Sequence, residues 1–316
     1  MDALVVGVVG PTATGKSDLA VDLALRLHGE VVSADASQLY RGMDIGTAKI
    51  PPEERHGIPH HQIDVLDVTE EATVAAYQRD ARADVEAVLA RGALPVVAGG
   101  SGLYVRAALD RLDIPPTDAA VRTAIEGRLE REGLPSLVAD LRAADPRAAD
   151  DIEPNNARRV VRALEVIALT GRPFSATMPS REFVRPTVLV GLRADRDALD
   201  RRVERRARGM FDAGLVEETR ALVGLGLREG RTASRAVGYA QALAVIDRTM
   251  TVADAVADTA ARTRRLVRRQ ESWFRPDPWI TWFEAFTDDL VDRVVAHVEE
   301  AASTAQRRDR DNGAHG

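Results

Sequence analysis

The sequence predicts an α/β protein in which a parallel sheet is covered by helices and a helical module is inserted into the chain. Three observations lead there. Short apolar runs alternate with amphipathic stretches over residues 4–98, the βαβ pattern of a parallel sheet. A glycine-bearing loop, Gly10-Pro11-Thr12-Ala13-Thr14-Gly15-Lys16-Ser17, sits between the first apolar run and the first amphipathic one. From about Asp113 the strand signals stop, and helical ones take over until a lone apolar run returns at Thr187.

Taken in order, Leu4-Val5-Val6-Gly7-Val8-Val9 reads as the first strand, near 4–9. A helix follows near 16–28, with Leu19, Ala20, Leu23 and Leu27 on one face. Then come a strand near 30–34, a helix near 73–91 and a strand near 94–98. Pro115-Pro116 punctuates the change of pattern, and helices are expected near 118–132, 134–144 and 156–170. Thr187 to Leu192 reads as a strand rejoining the sheet, with helices near 196–211, 214–225, 238–247 and 252–275 after it. The expected division is therefore a core of residues 1–112 and 187–302 and a helical insertion of residues 113–186. The polar, Arg- and Asp-rich residues 303–316 are expected to form a disordered tail.

Composition removes several function classes. A chain of 316 residues, 45% hydrophobic and 29% charged, belongs to a folded protein. No run approaches the roughly 20 apolar residues that span a bilayer, and the chain opens on a strand-like segment in place of a basic region and signal core, so a cytoplasmic location is expected. With zero cysteines, disulfides and thiolate metal sites are out of reach. A net charge of -6 argues against indiscriminate nucleic-acid binding. The basic residues are nevertheless clustered: Arg158, Arg159 and Arg162; Arg201, Arg202, Arg205, Arg206 and Arg208; Arg262, Arg264, Arg265, Arg268 and Arg269. Each cluster reads either as a solvated helix face or as a phosphate-binding surface.

Of 43 basic residues only Lys16 and Lys49 are lysine, which singles out both. Lys16 lies in the G-x-x-x-x-G-K-[ST] pattern of Gly10 to Ser17, after a predicted strand and opening a predicted helix. Glycines let such a loop turn its backbone N–H groups onto phosphate, the helix N-terminus adds favourable potential, Lys16 reaches terminal oxygens and Ser17 Oγ suits Mg²⁺. The site thus calls for a diphosphate or triphosphate. An NTP hydrolase or kinase of this type also needs a carboxylate after a second apolar strand, but Leu94-Pro95-Val96-Val97-Ala98 runs into Gly99-Gly100-Ser101-Gly102.

An acidic candidate elsewhere is Asp35, at the end of Val31-Val32-Ser33-Ala34, where parallel sheets present ligand-facing residues. It suits water-mediated Mg²⁺ binding, capping of the next turn, or proton acceptance from a bound nucleophile. Arg41 to Lys49, with two glycines and the second lysine, reads as a binding loop. His56, His60 and His61 are interrupted by Gly57 and Pro59 and lack an acidic partner at ligand spacing, so packing or a hydrogen-bonded loop is expected there.

These motifs resemble the tRNA dimethylallyltransferases, or tRNA isopentenyltransferases, from the phosphate loop to about Arg275. The resemblance is carried in order by Gly10 to Ser17; Ser33 to Tyr40; Gly42 to Lys49; Gly99-Gly100-Ser101-Gly102-Leu103-Tyr104; Asn155 to Val166; Ser234-Arg235-Ala236-Val237-Gly238-Tyr239; and Arg268-Arg269-Gln270 with Trp273-Phe274-Arg275. It implies a P-loop nucleotide-kinase-like core whose helical insertion grips the anticodon stem-loop. It also implies transfer of a dimethylallyl group from dimethylallyl diphosphate to N6 of the adenosine 3′ of the anticodon. By resemblance Asp35 is the general base, while Lys16, the loop amides, Ser17 with Mg²⁺ and Arg202 stabilise the departing diphosphate, and Ser101, where relatives commonly carry Thr, hydrogen-bonds near the transferred group or the flipped base. Ala36, Ser37 and Gln38 would meet that base beside Asp35. Arg122, Arg158, Arg159, Arg162, Arg235, Gly238 and Tyr239 match RNA-contacting positions.

Three departures accompany the match. Ala36-Ser37-Gln38 replaces a Ser-Ala-Leu-like order, Ala240 stands where a basic residue is frequent, and no zinc-finger extension follows the core, as in shorter bacterial members. The expected partners are tRNA and dimethylallyl diphosphate, with no membrane, and a monomer suffices for catalysis. An isopentenyltransferase acting on free adenine nucleotide shares the loop and Asp35 without needing an arginine-bearing insertion. A small-metabolite kinase lacks its metal carboxylate here, and a non-catalytic RNA-binding protein has no use for Lys16, Ser17, Asp35 and Ser101 together.

Overall fold

The computed structural model describes residues 4–177 and 182–313. Six strands form one parallel sheet: β1 (Val5–Val9), β2 (Gly29–Ser33), β3 (His60–His61), β4 (Leu94–Gly99), β5 (Thr187–Arg193) and β6 (Ile280–Glu284), in the order β3-β2-β4-β1-β5-β6. Burial on both faces explains why the inner strands read as unbroken apolar runs: every residue of β1, β2 and β4 is buried. β1 lies between β4 and β5, with Val6 opposite both Val96 and Val188. The chain departs from β1 to one side and returns on the other, the switch point at which open parallel sheets bind ligands beyond their carboxyl ends.

Helices α1 (Lys16–Leu27), α2 (Val74–Ala90) and α3 (Gly102–Leu109) follow β1, β3 and β4. Leu19, Leu23 and Leu27 of α1 pack with Val6, Val8, Val31 and Val96 of the sheet. After β5 come α8 (Arg196–Asp212), α9 (Leu215–Val223), α10 (Tyr239–Ile246), α11 (Val252–Phe274) and, beyond β6, α12 (Leu290–Gly313). One apolar cluster joins Leu199, Val203 and Ala207 of α8 to Ala260 and Val267 of α11 and reaches Ala13 in the phosphate loop. A second holds Tyr40 and Met43 against Phe211, Leu215, Leu222 and Tyr239.

The chain divides into two units, Met1–Leu109 with Phe183–Gly316, and Asp110–Glu182. The second contains α4 (Ala119–Glu132), α5 (Leu134–Ala144), α6 (Pro146–Asp151) and α7 (Ala157–Thr170), packed around Leu137, Leu141, Val160 and Val161. Asp118, Asp145 and Asn156 accept hydrogen bonds from the first-turn amides of α4, α6 and α7. Within this unit Glu165, fully buried, accepts from Arg122 at 2.8 Å, from Arg162 at 2.9 Å and from the Asp118 amide at 3.1 Å. Arg162 also donates to the carbonyls of Pro115 and Pro116 and so ties the diproline entry segment to α7.

The structure differs from the sequence expectation at the C-terminus. Residues 303–313 continue α12, where a disordered tail is expected. The segment follows Ala301-Ala302 and carries Ala305 and several arginines, good helix formers that extend a helix already nucleated and packed through Val294, Val295 and Val298. Residues 314–316 of the expected tail lie outside the described residues.

Candidate active site

The phosphate loop departs from β1 in a shape that its sequence dictates. Gly10 (φ +139°) and Gly15 (φ +85°) take backbone angles that side chains rarely adopt, and a Cβ on Gly10 would lie 2.5 Å from the Leu192 carbonyl oxygen of β5. Ala13 is also left-handed, at φ 67°, and is held by packing against α8 and α11. Thr14 Oγ1 donates to the Pro11 carbonyl at 2.8 Å, and Gly15 accepts the first helical bond from Leu19. The buried Gln270 of α11 bridges two loops: its Oε1 accepts from Thr12 N at 2.8 Å and its Nε2 donates to the Gly100 carbonyl at 3.0 Å.

Beside this loop lies a cavity of about 560 Å³. Its wall includes Thr12, Ala13 and Gly15 to Asp18 of the loop and first helix turn, Asp35 and Gln38 after β2, Thr47 to Pro51, Ala98 to Gly100 after β4, and Arg202, Arg205 and Arg206 of α8. Lys16 Nζ donates to the Pro11 carbonyl at 2.7 Å. Loss of hydration on burial lowers its pKa to about 8 even though Asp35 pulls it upward, and Arg206 adds to the lowering. Arg206 is likewise pushed down from the usual guanidinium range, first by burial, against the pull of Asp35 and Asp18. Arg202 Nε donates to the Ala13 carbonyl at 3.0 Å, and its guanidinium lies 4.2 Å from the centre of the Phe286 ring.

Asp35 occupies the turn after β2. Its Oδ1 accepts from the Ser37 amide at 3.0 Å and the Ser37 hydroxyl at 2.6 Å, while Oδ2 has no hydrogen-bond partner among the described residues. Ser101 Oγ accepts from the Ala36 amide at 3.3 Å, which brings the turns after β2 and β4 together. Gln38 is buried, with its Oε1 accepting from Ser33 Oγ and its Nε2 donating to the Thr47 carbonyl. Lys49, the second lysine, is a structural cation: its buried ammonium donates to the Tyr40 carbonyl at 2.6 Å and pairs with Asp44 and Asp64. It thereby closes the binding loop that supplies Thr47 to Pro51 to the cavity wall.

Of the residues singled out by sequence, the structure brings Gly10 to Ser17, Asp35, Gln38, Ser101 and Arg202 to one end of the sheet. Gly238 and Tyr239, which match RNA-contacting positions by resemblance, lie at the cap and first residue of α10. Both are buried, Gly238 at φ +97° caps α10, and the Tyr239 hydroxyl accepts from Gly46 N and donates to Glu218 Oε1 at 2.6 Å. Their place is behind the binding loop, where Gly46 is needed because a Cβ there would lie 2.4 Å from the Tyr239 ring. Arg235 is exposed. In the inserted unit Arg122 and Arg162 are paired with Glu165, whereas Arg158 is exposed and Arg159 half-buried, neither with an ion-pair partner among the described residues. In the third arginine cluster, Arg262 pairs with Asp258 and Arg264 with Glu204. Sequence reasoning did not single out Arg206 or Gln270 as site residues. Arg206 was detectable as the residue one helical turn beyond Arg202, but the Gln270 bridge spans 258 positions and had no local signal.

His60 and His61 form the short edge strand β3, with His61 bonded to Glu30 at 2.7 Å. Among the described residues no group of three or more His, Asp and Glu is arranged to hold a metal.

Sheet topology and site together define a P-loop α/β protein whose second strand beside the loop ends in glycines where a kinase presents its metal carboxylate. The family follows from comparison. The model of the IPP transferase family matches residues 38–277, and the chain belongs to that family. Similar curated relatives are the tRNA dimethylallyltransferases of Kineococcus radiotolerans, 58% identical over 286 residues (89% of this chain and 90% of the relative), and of Streptomyces avermitilis, 56% identical over 288 residues (91% and 92%). Among solved structures, the tRNA isopentenylpyrophosphate transferase of Bacillus halodurans superposes with a TM-score of 0.71 at 36% identity, covering 98% of this chain and all of that one. A eukaryotic dimethylallyltransferase captured acting on tRNA gives 0.82 at 26% identity, covering 96% of this chain and 80% of that one.

Proposed function

We propose that this protein transfers a dimethylallyl group from dimethylallyl diphosphate to N6 of the adenosine 3′ of the anticodon in tRNA and releases diphosphate. The observation that carries the proposal is one cavity lined by both the phosphate loop and Asp35, with Gly99 and Gly100 in place of a kinase carboxylate. Such a wall suits a diphosphate that leaves better than a phosphoryl group that is passed on.

The adenine N6 lone pair is delocalised into the ring, so attack on the allylic carbon needs a base for the N6 proton and a stabilised leaving group. As the N6–C bond forms, the C–O bond breaks and its electrons leave with diphosphate. Asp35 Oδ2 takes the proton, while Ser37 fixes the carboxylate by bonding Oδ1 twice. Lys16, the loop amides of Gly10 to Ser17, Arg202 and Arg206 meet the charge that grows on diphosphate. Ser101 and Gln38 line the approach of the base, which is extruded from the anticodon loop to reach the cavity. Mg²⁺ fits the donor set, because Ser17, Asp18 and Asp35 bring hydroxyl and carboxylate oxygens to the same wall. When bound, it supplies further positive charge to the diphosphate oxygens.

The inserted unit, residues 110–182, serves as the RNA grip in this reading, with Arg158 and Arg159 supplying its free cations and Arg122 and Arg162 framing them. One chain carries both the cavity and the grip, so a monomer suffices, acting in the cytoplasm where its RNA substrate resides. Among the described residues no helix is long and apolar enough to cross a membrane.

The test is to incubate the protein with Mg²⁺, radiolabelled dimethylallyl diphosphate and either an anticodon stem-loop or AMP. Label on the stem-loop is the expected result. Label on AMP alone would overturn the tRNA reading in favour of a free-nucleotide enzyme.

A further inference from the structure

Phe286 lies between β6 and α12, beyond the motifs of the phosphate site. It is 45% exposed, although it is an aromatic residue, and its φ of +66° is a left-handed angle that a bulky side chain rarely takes. Two unfavourable features in one residue call for a compensating contact. The contact recorded there is with Arg202, whose guanidinium carbon stands 4.2 Å from the ring centre.

The sheet explains how a residue so distant in sequence arrives there. β6 pairs with β5 in parallel, with Glu284 opposite Arg193 and Arg193 Nε donating to Glu284 at 2.6 Å, so both strands end together. Ala285 N then donates to the Arg193 carbonyl at 2.7 Å and extends the ladder by one bond. The next residue, Phe286, turns left-handed, and α8 begins at Arg196, just beyond the end of β5, placing Arg202 within reach of the ring. On its other side Arg202 donates to the carbonyl of Ala13, the left-handed residue of the phosphate loop. A single guanidinium is thus held between two strained positions, one in the anion-binding loop and one behind it.

We infer that Phe286 is a positioning residue for diphosphate binding: its ring holds the Arg202 guanidinium at the cavity wall in advance of the ligand. This rests on the reading of the cavity as a diphosphate site. A guanidinium stacked on a ring keeps its in-plane N–H groups free to donate, whereas an unsupported arginine at an exposed helix position samples many rotamers and must be ordered at the moment of binding. Phe286 touches no ligand in this role and acts through Arg202.

The test is calorimetric titration of the full chain with inorganic diphosphate in Mg²⁺ buffer. Phe286→Leu should bind about fivefold more weakly than the wild type, Phe286→Tyr should bind as the wild type does, and the thermal midpoints should agree because leucine keeps an apolar side chain at this partly exposed position. In an Arg202→Ala background, Phe286→Leu should make no further difference. Equal or tighter binding by Phe286→Leu would overturn the inference while leaving the diphosphate reading intact, as would an undiminished effect in the Arg202→Ala background. Failure of the wild type itself to bind diphosphate would overturn both.

Discussion

Arginine is used in two opposite ways in the cavity and in the inserted unit. Around the phosphate loop, Arg202 donates to a neutral carbonyl and rests on an aromatic ring, and Arg206 has no hydrogen-bond partner among the described residues. In the insertion, Arg122 and Arg162 converge on Glu165, which is fully buried. A cation with a buried carboxylate partner is committed to architecture, since its departure leaves a charge stranded in the interior. A cation bonded to a neutral group, or to none, keeps its N–H donors for an incoming anion. Exposure and proximity to a motif do not separate these cases; the partner does.

The largest expected effect lies in the cavity, at Asp35, the carboxylate proposed to take a proton from a bound base. Asp35→Ala should lower single-turnover prenyl transfer about 10³-fold. Filter binding should show stem-loop affinity nearly unchanged. Lost RNA affinity with normal turnover at saturation would move Asp35 from chemistry to recognition and weaken the contrast between the two regions.

In the insertion the corresponding loss should be one of stability. Glu165→Ala leaves two guanidinium groups and the Asp118 amide without their acceptor, and urea unfolding should report a cost of about 3 kcal/mol. The pH dependence follows from the same contacts. Burial opposes ionisation of Glu165, but the bonds from Arg122 and Arg162 outweigh it and hold its pKa below the ordinary 4.5. A carboxylate with a depressed folded-state pKa contributes stability that is present above about pH 4.5 and lost as pH falls through the folded value. Glu165→Gln should therefore flatten the acid limb of the stability curve.

Lys16 tests the cavity from the other side of neutrality. Its pKa of about 8, lowered by burial, means that the ligand-free loop loses its ammonium just above neutral pH, whereas bound diphosphate favours the charged form. The complex therefore binds more protons than the free protein above pH 8, and affinity falls as pH rises. Diphosphate binding should weaken about fivefold between pH 8 and pH 9, with proton uptake measurable by calorimetry in buffers of different ionisation enthalpy. A flat profile would mean that Lys16 stays charged in the empty cavity.

The sheet and the phosphate loop were legible because their signals are local. Parallel strands buried on both faces must be apolar throughout, and Gly10, Gly15 and Lys16 satisfy backbone and charge requirements within eight consecutive residues. β3 and β6 escaped notice as short edge strands, one of two residues and one of five with only Ile280 and Phe283 buried. Asp35 was legible as a site residue from its place after a strand, but the Ser37 clamp that orients it depends on the turn's actual path. Tyr239 carried a motif signal that distinguished neither burial nor contact. Gln270 lay in a motif that did not reveal its bridge and Phe286 in none, since what gives both a place is pairing between segments far apart in the chain.

The smallest effect separates the two uses of arginine within the insertion itself. Arg159 sits in the first turn of α7 with no ion-pair partner among the described residues, and Arg122 on α4 is bound to Glu165. If Arg159 meets an RNA phosphate, Arg159→Ala should weaken stem-loop binding about threefold near physiological salt and lower the slope of log affinity against log salt by about 0.7 to 0.9, the release of one counterion. Its unfolding midpoint should not move. Arg122→Ala should do the reverse, shifting the midpoint while leaving the salt slope in place, because its guanidinium is already committed to the buried Glu165 before RNA arrives. Equal slopes for the two variants would show that pairing with a buried carboxylate does not withdraw an arginine from RNA binding, and the distinction drawn between the cavity and the insertion would then rest on geometry alone.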